Sequence, residues 1–221
     1  MKVSIIVPTK NEPGIDKLVK EIHKHLAKMN HEIIVVDKSD VPPKIKGVKL
    51  IRQKSDGLGK AILEGTQAAR GDVIVVMDAD FSHRPQDIKR LVEKAKDYDI
   101  VIGSRFVEGG RNTDKAHRKL VSMLLRKITS FVLGLHVEDN MSGFSAMRSH
   151  VYKKLKLNPI GYKINMEILY KGKNAGLKIA EVPIVFHKRM YGKSKVGINT
   201  SGLKEFFRIL IYMMKLKIGM Q

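Results

Sequence analysis

Apolar residues fall along this chain in two rhythms that alternate. Short continuous runs recur at Val3–Val7, Glu32–Val36, Val48–Ile51, Val73–Met77 and Ile100–Ile102, as strands buried on both faces require. Helical spacing lies between most of them: Leu18, Val19, Ile22, Leu26 and Met29 share one face, as do Ile88, Leu91, Val92 and Ala95, with Pro85 where a helix starts. The alternation predicts an α/β fold, a mostly parallel sheet with helices on both faces and ligands at the carboxyl ends of the strands. One connection differs: "KSDVPPKIKG", residues 38–47, is too rich in proline for a helix, so the second and third strands are expected to be joined by a loop.

After Gly103 the pattern changes to a helical stretch over about 114–135, then loops, a short strand at Ile179–Phe186 and an apolar C-terminal helix. This half is expected to form a subdomain built onto the sheet. The main unit is drawn over residues 1–202 and a C-terminal amphipathic helix over 203–221. In that helix Leu203, Phe206, Phe207, Leu210, Met213 and Met214 recur at helical spacing, with Lys204, Glu205, Arg208 and Lys215 towards the other side. The 114–135 stretch divides similarly: Leu120, Leu124, Ile128 and Phe131 against Lys115, Lys119, Ser122 and Arg126. Such helices suit a membrane interface, and equally a core.

Length and composition narrow the class. The 221 residues, 43% hydrophobic, suffice for one sizeable core. No run approaches the roughly 20 apolar residues of a membrane span, and the opening "MKVSIIVPTK" reads as a first strand rather than a leader, so peripheral attachment without a spanning segment is expected. The absence of cysteine excludes disulfides and thiolate metal sites and fits a reducing cytosol. A formal net charge of +20, from 42 Lys and Arg against 22 Asp and Glu, points to nucleic acid, anionic lipid or phosphorylated small molecules. With aromatic residues at 6%, no Trp and no nucleic-acid motif, binding to nucleic acid is the weaker expectation.

Against that basic background the stretch "VIVVMDADFSHRP", residues 73–85, ends a buried strand in two aspartates. Asp78 and Asp80 are splayed by the intervening Ala79, an awkward arrangement for an acid/base pair but a suitable one for a hard cation. Mg²⁺ or Mn²⁺ is commonly held by one or two carboxylates plus substrate phosphates. A DxD pair alone is weak evidence, since it also serves as a capping turn. His83 beside it reads as a hydrogen-bonding support. "DGLGKA" lacks the length and ending of a P-loop, and its glycines read as allowing close backbone approach.

Order adds what single motifs lack. "IIVPTKNE", "IIVVD", "DGLGKA", "MDADFSHRP", "GSRFVEGG", "DNMSGF", "EVPIVF" and "RMYGKSK" follow one another from Val3 to about Gly197. In this set the chain resembles the family-2 glycosyltransferases, and within them the polyprenyl-phosphate (dolichyl-phosphate) mannose synthases. The resemblance implies a GT-A, Rossmann-like fold over 1–202 and metal-dependent, inverting transfer of mannose from GDP-mannose to a polyprenyl phosphate. The membrane-side location it implies is the cytoplasmic face, at an anionic surface. It further implies that Pro8, Lys10, Glu12, Val35 and Asp37 bind the nucleoside. Asp78, Ala79 and Asp80 match the diphosphate and metal site, with Ser82 a further ligand, and Arg105, Arg189 and Lys195 match phosphate-contacting residues. Asp80 and Arg105 stand as catalytic, and Ser104, Arg105 and Arg118 as the acceptor-phosphate set. Two departures surround the nucleobase pocket: Asp37-Lys38-Ser39-Asp40 stands where relatives have Asp-Asp-Gly-Ser, and Lys10 where an aromatic is common. Transfer of glucose or another hexose from a UDP-sugar is the alternative on the same scaffold.

Overall fold

The structure, a computed structural model, describes residues 1–113, 116–161, 164–190 and 200–219, with the side chains of 116–121 and 200–207 outside the description. In chain order the elements are β1 (Val3–Thr9), α1 (Ile15–His25), β2 (His31–Asp37), β3 (Lys49–Arg52), α2 (Leu58–Ala68), β4 (Val73–Val76), a single 3₁₀ turn (Pro85–Asp87) and α3 (Ile88–Lys94). They continue with β5 (Ile100–Ser104), β6 (Arg111–Asn112), α4 (Ala116–Leu133), β7 (Ser145–Arg148), α5 (Ser149–Lys154), α6 (Ile164–Asn174), β8 (Ile179–Pro183), β9 (Val185–Phe186) and α7 (Thr200–Lys217). Seven strands form one sheet in the order β3-β2-β1-β4-β7-β5-β8, parallel except for β7, which runs antiparallel to both β4 and β5. β6 and β9 make a small parallel pair of their own.

Alternation along β1 divides the core. Val3, Ile5 and Val7 face α1 and α3 with Leu18, Ile22, Ile88 and Leu91, while Ile6 faces the opposite cluster with α2, α6 and α7. Each such aliphatic side chain, at or near zero exposure, contributes about 1.5–3 kcal/mol by leaving water. The 38–48 connection is a loop, as its prolines require. It is tied to α1 where His23 Nε2 lies 3.1 Å from the Gly47 carbonyl. Gly47 takes φ +75°, and a Cβ there would lie 2.9 Å from that same nitrogen, so both the turn and the close approach demand glycine.

Four expectations are corrected. The segment between α4 and β8, expected as loops, contains β7, α5 and α6. β7 has only four residues, and α6 buries Asn165 and Glu167, which breaks the apolar period. The strand expected at Ile179–Phe186 divides at Ile184 between two sheets. The second half is therefore no separate subdomain, because β7 and β8 complete the main sheet. Nor is the C-terminal helix a detached unit: Ile209, Tyr212, Met213 and Leu216 of α7 join the core, and Tyr212 donates a 2.8 Å hydrogen bond to the wholly buried Glu167. Leu203, Phe206 and Phe207 lie outside the described side chains.

Candidate active site

The parallel register brings the carboxyl ends of β1, β2 and β3 level, pairing Thr9 with Asp37 and Asp37 with Arg52. Asp37 is fully buried and engaged on both oxygens. Oδ1 accepts from the Ser39 amide at 3.1 Å and hydroxyl at 2.5 Å, and Oδ2 accepts from Arg52, whose other terminal nitrogen donates to the Ser39 carbonyl at 2.7 Å. Asn11 follows β1 in the left-handed region at φ 53°, which asparagine tolerates. Its side chain clasps Asp40 through two hydrogen bonds, Nδ2 to Oδ2 at 2.9 Å and the Asp40 amide to Oδ1 at 3.1 Å. Lys10 is exposed and Glu12 half-buried at this opening. Pro8 and Val35 are sealed within the sheet, so the side chain of Val35 serves packing rather than a ligand surface.

Beyond β4 the chain turns through Asp78 and Asp80. Asp78 remains about one-third exposed, and its amide donates to His83 Nδ1 at 3.3 Å. Asp80 is 4% exposed; Oδ1 accepts from the Ser82 amide at 2.9 Å and Oδ2 lies 3.0 Å from Arg189 Nε. Phe81, between Asp80 and Ser82, sits at φ 61°, an uncommon conformation for a bulky residue. The strap after β9 holds this turn: the His187 amide donates to the Ser82 carbonyl at 2.9 Å, and the Met190 amide to the Asp80 carbonyl at 3.1 Å.

His83 is the support expected of it. It is 2% exposed, stacked on Phe144 with centroids 4.9 Å apart and edge-on to Phe186 at 5.4 Å. Burial pushes its pKa down, so the ring is neutral; accepting at Nδ1 then places its proton on Nε2. Phe186 takes the edge of His83 and lies 5.2 Å from the Arg105 guanidinium, which links the acidic turn to the Arg105 cluster through one ring.

Arg105, after β5, is forked onto the fully buried Asp139, with Nε to Oδ2 and Nη2 to Oδ1 both at 2.7 Å, and its amide donates to Oδ2 at 3.0 Å. The guanidinium lies 5.2 Å from the ring centres of both Phe106 and Phe186. Glu181 of β8 fixes the acidic loop by accepting the amides of Glu138 at 2.7 Å and Asp139 at 2.9 Å. Ser104 is buried and its hydroxyl accepts from the Phe106 amide at 3.3 Å, so it shapes the turn and presents no hydroxyl at the surface. Arg118 lies on α4 with its side chain outside the described residues, and Lys195 lies outside them altogether. Sequence reasoning missed Asp139, Glu181, Arg52 and Asn11. The motifs holding Asp139 and Glu181 were visible, but a buried acid inside a loop motif carries no period to mark its role.

The acidic turn fits a small divalent cation. Asp78 and Asp80 share one turn with Ser82, whose buried hydroxyl has no hydrogen-bond partner among the described residues. No group of three or more His, Cys, Asp or Glu among those residues forms a closed cage. Mg²⁺ and Mn²⁺ suit such an open set, completed by substrate oxygens.

Comparison with known proteins accords with this geometry. Residues 4–156 match the sequence model of Glycosyl transferase family 2. The chain belongs to this family. This family-2 chain is 41% identical to the dolichol-phosphate mannosyltransferase of Pyrococcus furiosus over 97% of its own length, and spans 64% of that relative. It is 34% identical to the undecaprenyl-phosphate mannosyltransferase of Micrococcus luteus, covering 89% of this chain and 88% of that one. Its GT-A-like fold is shared with the glucosyl-3-phosphoglycerate synthase of Mycobacterium tuberculosis, solved with Mg²⁺ and UDP. The TM-score is 0.75 at 20% identity, covering 100% of this chain and 80% of that one.

Proposed function

We propose that this glycosyltransferase moves mannose from GDP-mannose to a polyprenyl phosphate, with inversion and with Mg²⁺ or Mn²⁺ at Asp78, Asp80 and Ser82. The observation that carries the reading is the acidic turn facing Arg189 on one side and, across His83 and Phe186, the clamped Arg105 on the other. The mannosyl transfer named for the two relatives supports the sugar and the acceptor class.

No catalytic base is required. A phosphate monoester has its second pKa near ~6, so the acceptor arrives largely ionised. One of its oxygens bonds to the anomeric carbon from the face opposite the leaving group, the bond from sugar to diphosphate breaks, and its electron pair departs with GDP. A bound divalent cation supplies charge neutralisation on that leaving diphosphate. Asp78 and Asp80 hold the cation, Arg189 faces the same diphosphate, and Arg105 is pre-set for a phosphate because Asp139 and two aromatic rings fix its plane. Fixed charges of this kind stabilise the transition state without reorganising. Lys10 and Glu12 border the nucleoside end, where the half-exposed Arg52, held in place by Asp37, offers a donor, and Pro8 and Asp37 back this end from within the sheet.

The acceptor's tail implies a membrane surface, and two packed helices suit one. α4 exposes Met123, Leu124 and Phe131, and α7 exposes Ile211 and Met214, followed by the exposed Ile218, with Lys127, Arg208, Lys215 and Lys217 exposed on the same helices. No helix among the described residues is long and apolar enough to cross a membrane. The reading is therefore peripheral attachment to anionic lipid on the cytoplasmic face, where a chain without cysteine meets reducing conditions.

The test supplies labelled GDP-mannose, Mg²⁺ and a short polyprenyl phosphate, then extracts the lipid product and determines its anomeric configuration. A β-linked mannosyl lipid agrees with inversion of the α-linked donor. Label confined to the aqueous phase contradicts the proposal.

A further inference from the structure

Asp80 is almost enclosed, yet it already has a cation. Its Oδ1 is committed to the Ser82 amide at 2.9 Å, which leaves Oδ2 as the oxygen for an incoming ligand, and Arg189 Nε sits on that oxygen at 3.0 Å. The carboxylate side chain is 6% exposed and the arginine side chain 42% exposed, so one partner is fixed and the other is able to leave. The backbone on either side of Arg189 is tied to the same turn through His187 and Met190. Release of the guanidinium therefore needs side-chain rotation only, and the residue stays beside the site it vacates.

We propose that Arg189 and the divalent cation exchange on Asp80: the guanidinium holds the carboxylate in the metal-free enzyme, and metal arriving with a nucleoside diphosphate displaces it onto the diphosphate oxygens. The inference rests on the metal site proposed above and adds an order to its filling. Charge explains why the exchange favours the pair of ligands over metal alone. Two carboxylates and one guanidinium leave a single negative charge around the turn. A divalent cation alone would reverse that sign and crowd Arg189 against it. A cation together with a diphosphate diester of two negative charges restores the original balance and gives Arg189 a partner. When the sugar leaves, the nucleoside diphosphate gains a further charge, and the displaced guanidinium is already beside it. Metal and nucleotide thus assist each other's binding, and by linkage the assistance is reciprocal.

The experiment titrates Mn²⁺ by the paramagnetic resonance of the free ion, without any sugar donor, against the parent chain, Arg189→Gln, Arg189→Ala and Lys188→Gln. Lys188 is the exposed neighbour whose loss changes net charge equally. The exchange predicts that both Arg189 variants bind Mn²⁺ alone about tenfold or more tightly than the parent, while Lys188→Gln stays within about twofold. It also predicts that GDP tightens Mn²⁺ binding in the parent more than in the variants. Equal affinity in parent and Arg189 variants, including failure of all to bind, overturns it, as does an equal gain at Lys188→Gln. No sugar transfer is measured, so a wrong donor or acceptor assignment leaves this result standing, and failure here leaves the assignment standing.

Discussion

Asp139 holds Arg105 by three hydrogen bonds, from the amide at 3.0 Å and from Nε and Nη2 at 2.7 Å each. The carboxylate is wholly buried and the arginine side chain 11% exposed, so each is the other's main compensation for leaving water. Asp139→Asn keeps the volume and removes the charge. Breaking one side of such a pair costs about 3–5 kcal/mol, to be read from the urea midpoint at constant m. Transfer by the fraction that remains folded should fall about tenfold or more, because Arg105 loses its fixed plane. Arg105→Lys should not restore it, since an ammonium cannot make the fork.

Tyr212 ties α7 to α6 through the buried Glu167. Glu167 also accepts from the Asn158 amide at 2.8 Å and pairs with Lys171 at 2.7 Å, so its charge is compensated only while every partner is present. Tyr212→Phe should lower stability by about 1–3 kcal/mol, measured by chemical denaturation. Deleting residues 203–221 should abolish the cooperative transition, because Ile209, Met213 and Leu216 leave with it. A truncated chain that melts like the parent would contradict the packing of α7.

Burial without a full set of partners raises the pKa of Asp87 above the ordinary carboxyl value; nearby Arg90 and Arg84 oppose the rise. A carboxyl raised in the folded state stabilises the fold below its unfolded pKa and loses that contribution as pH rises through the folded value. Asp87→Asn has no such loss. The stability of the variant relative to the parent should therefore increase as pH rises from about 3 to 7. A constant difference across that range would show that Asp87 does not titrate abnormally.

Much of this site is written in local pattern, and much is not. The acidic turn and the strands leading to it stand out because a parallel strand buried on both faces is a continuous apolar run, and Asp78 and Asp80 interrupt one in a basic chain. His83 is legible as a support for the same reason of position. β7 is not legible: Ser145–Arg148 is short, and its place between β4 and β5 is set by pairing with strands distant in the chain. Arg52 on Asp37 and Glu181 beneath Asp139 are likewise contacts between distant segments, which no period records. The side chain of Val35, a position the resemblance places at the nucleoside, is buried in the core on the same side of β2 as Asp37.

The exposed face of α4 and α7 separates stability from membrane attachment. Phe131 is 88% and Met214 54% exposed, so Phe131→Ser and Met214→Ser should leave the melting temperature within experimental error. If these side chains enter lipid, each lost burial is worth about 1.5–3 kcal/mol. Sedimentation with anionic liposomes should then weaken by at least about tenfold in the double variant, and salt should weaken the parent further. Unchanged sedimentation would remove this face from the membrane.

The central claim is tested most directly by offering the chain a polyprenyl phosphate with GDP-mannose, GDP-glucose, UDP-glucose and UDP-N-acetylglucosamine in separate labelled reactions and counting label in the organic phase. The parent should load lipid from GDP-mannose above the others, lose that activity to EDTA and regain it with Mg²⁺ or Mn²⁺. Asp80→Asn should fall by more than about a hundredfold, as loss of leaving-group neutralisation requires. Preferential loading from a UDP-sugar, or near-normal transfer by Asp80→Asn or in EDTA, would contradict the account.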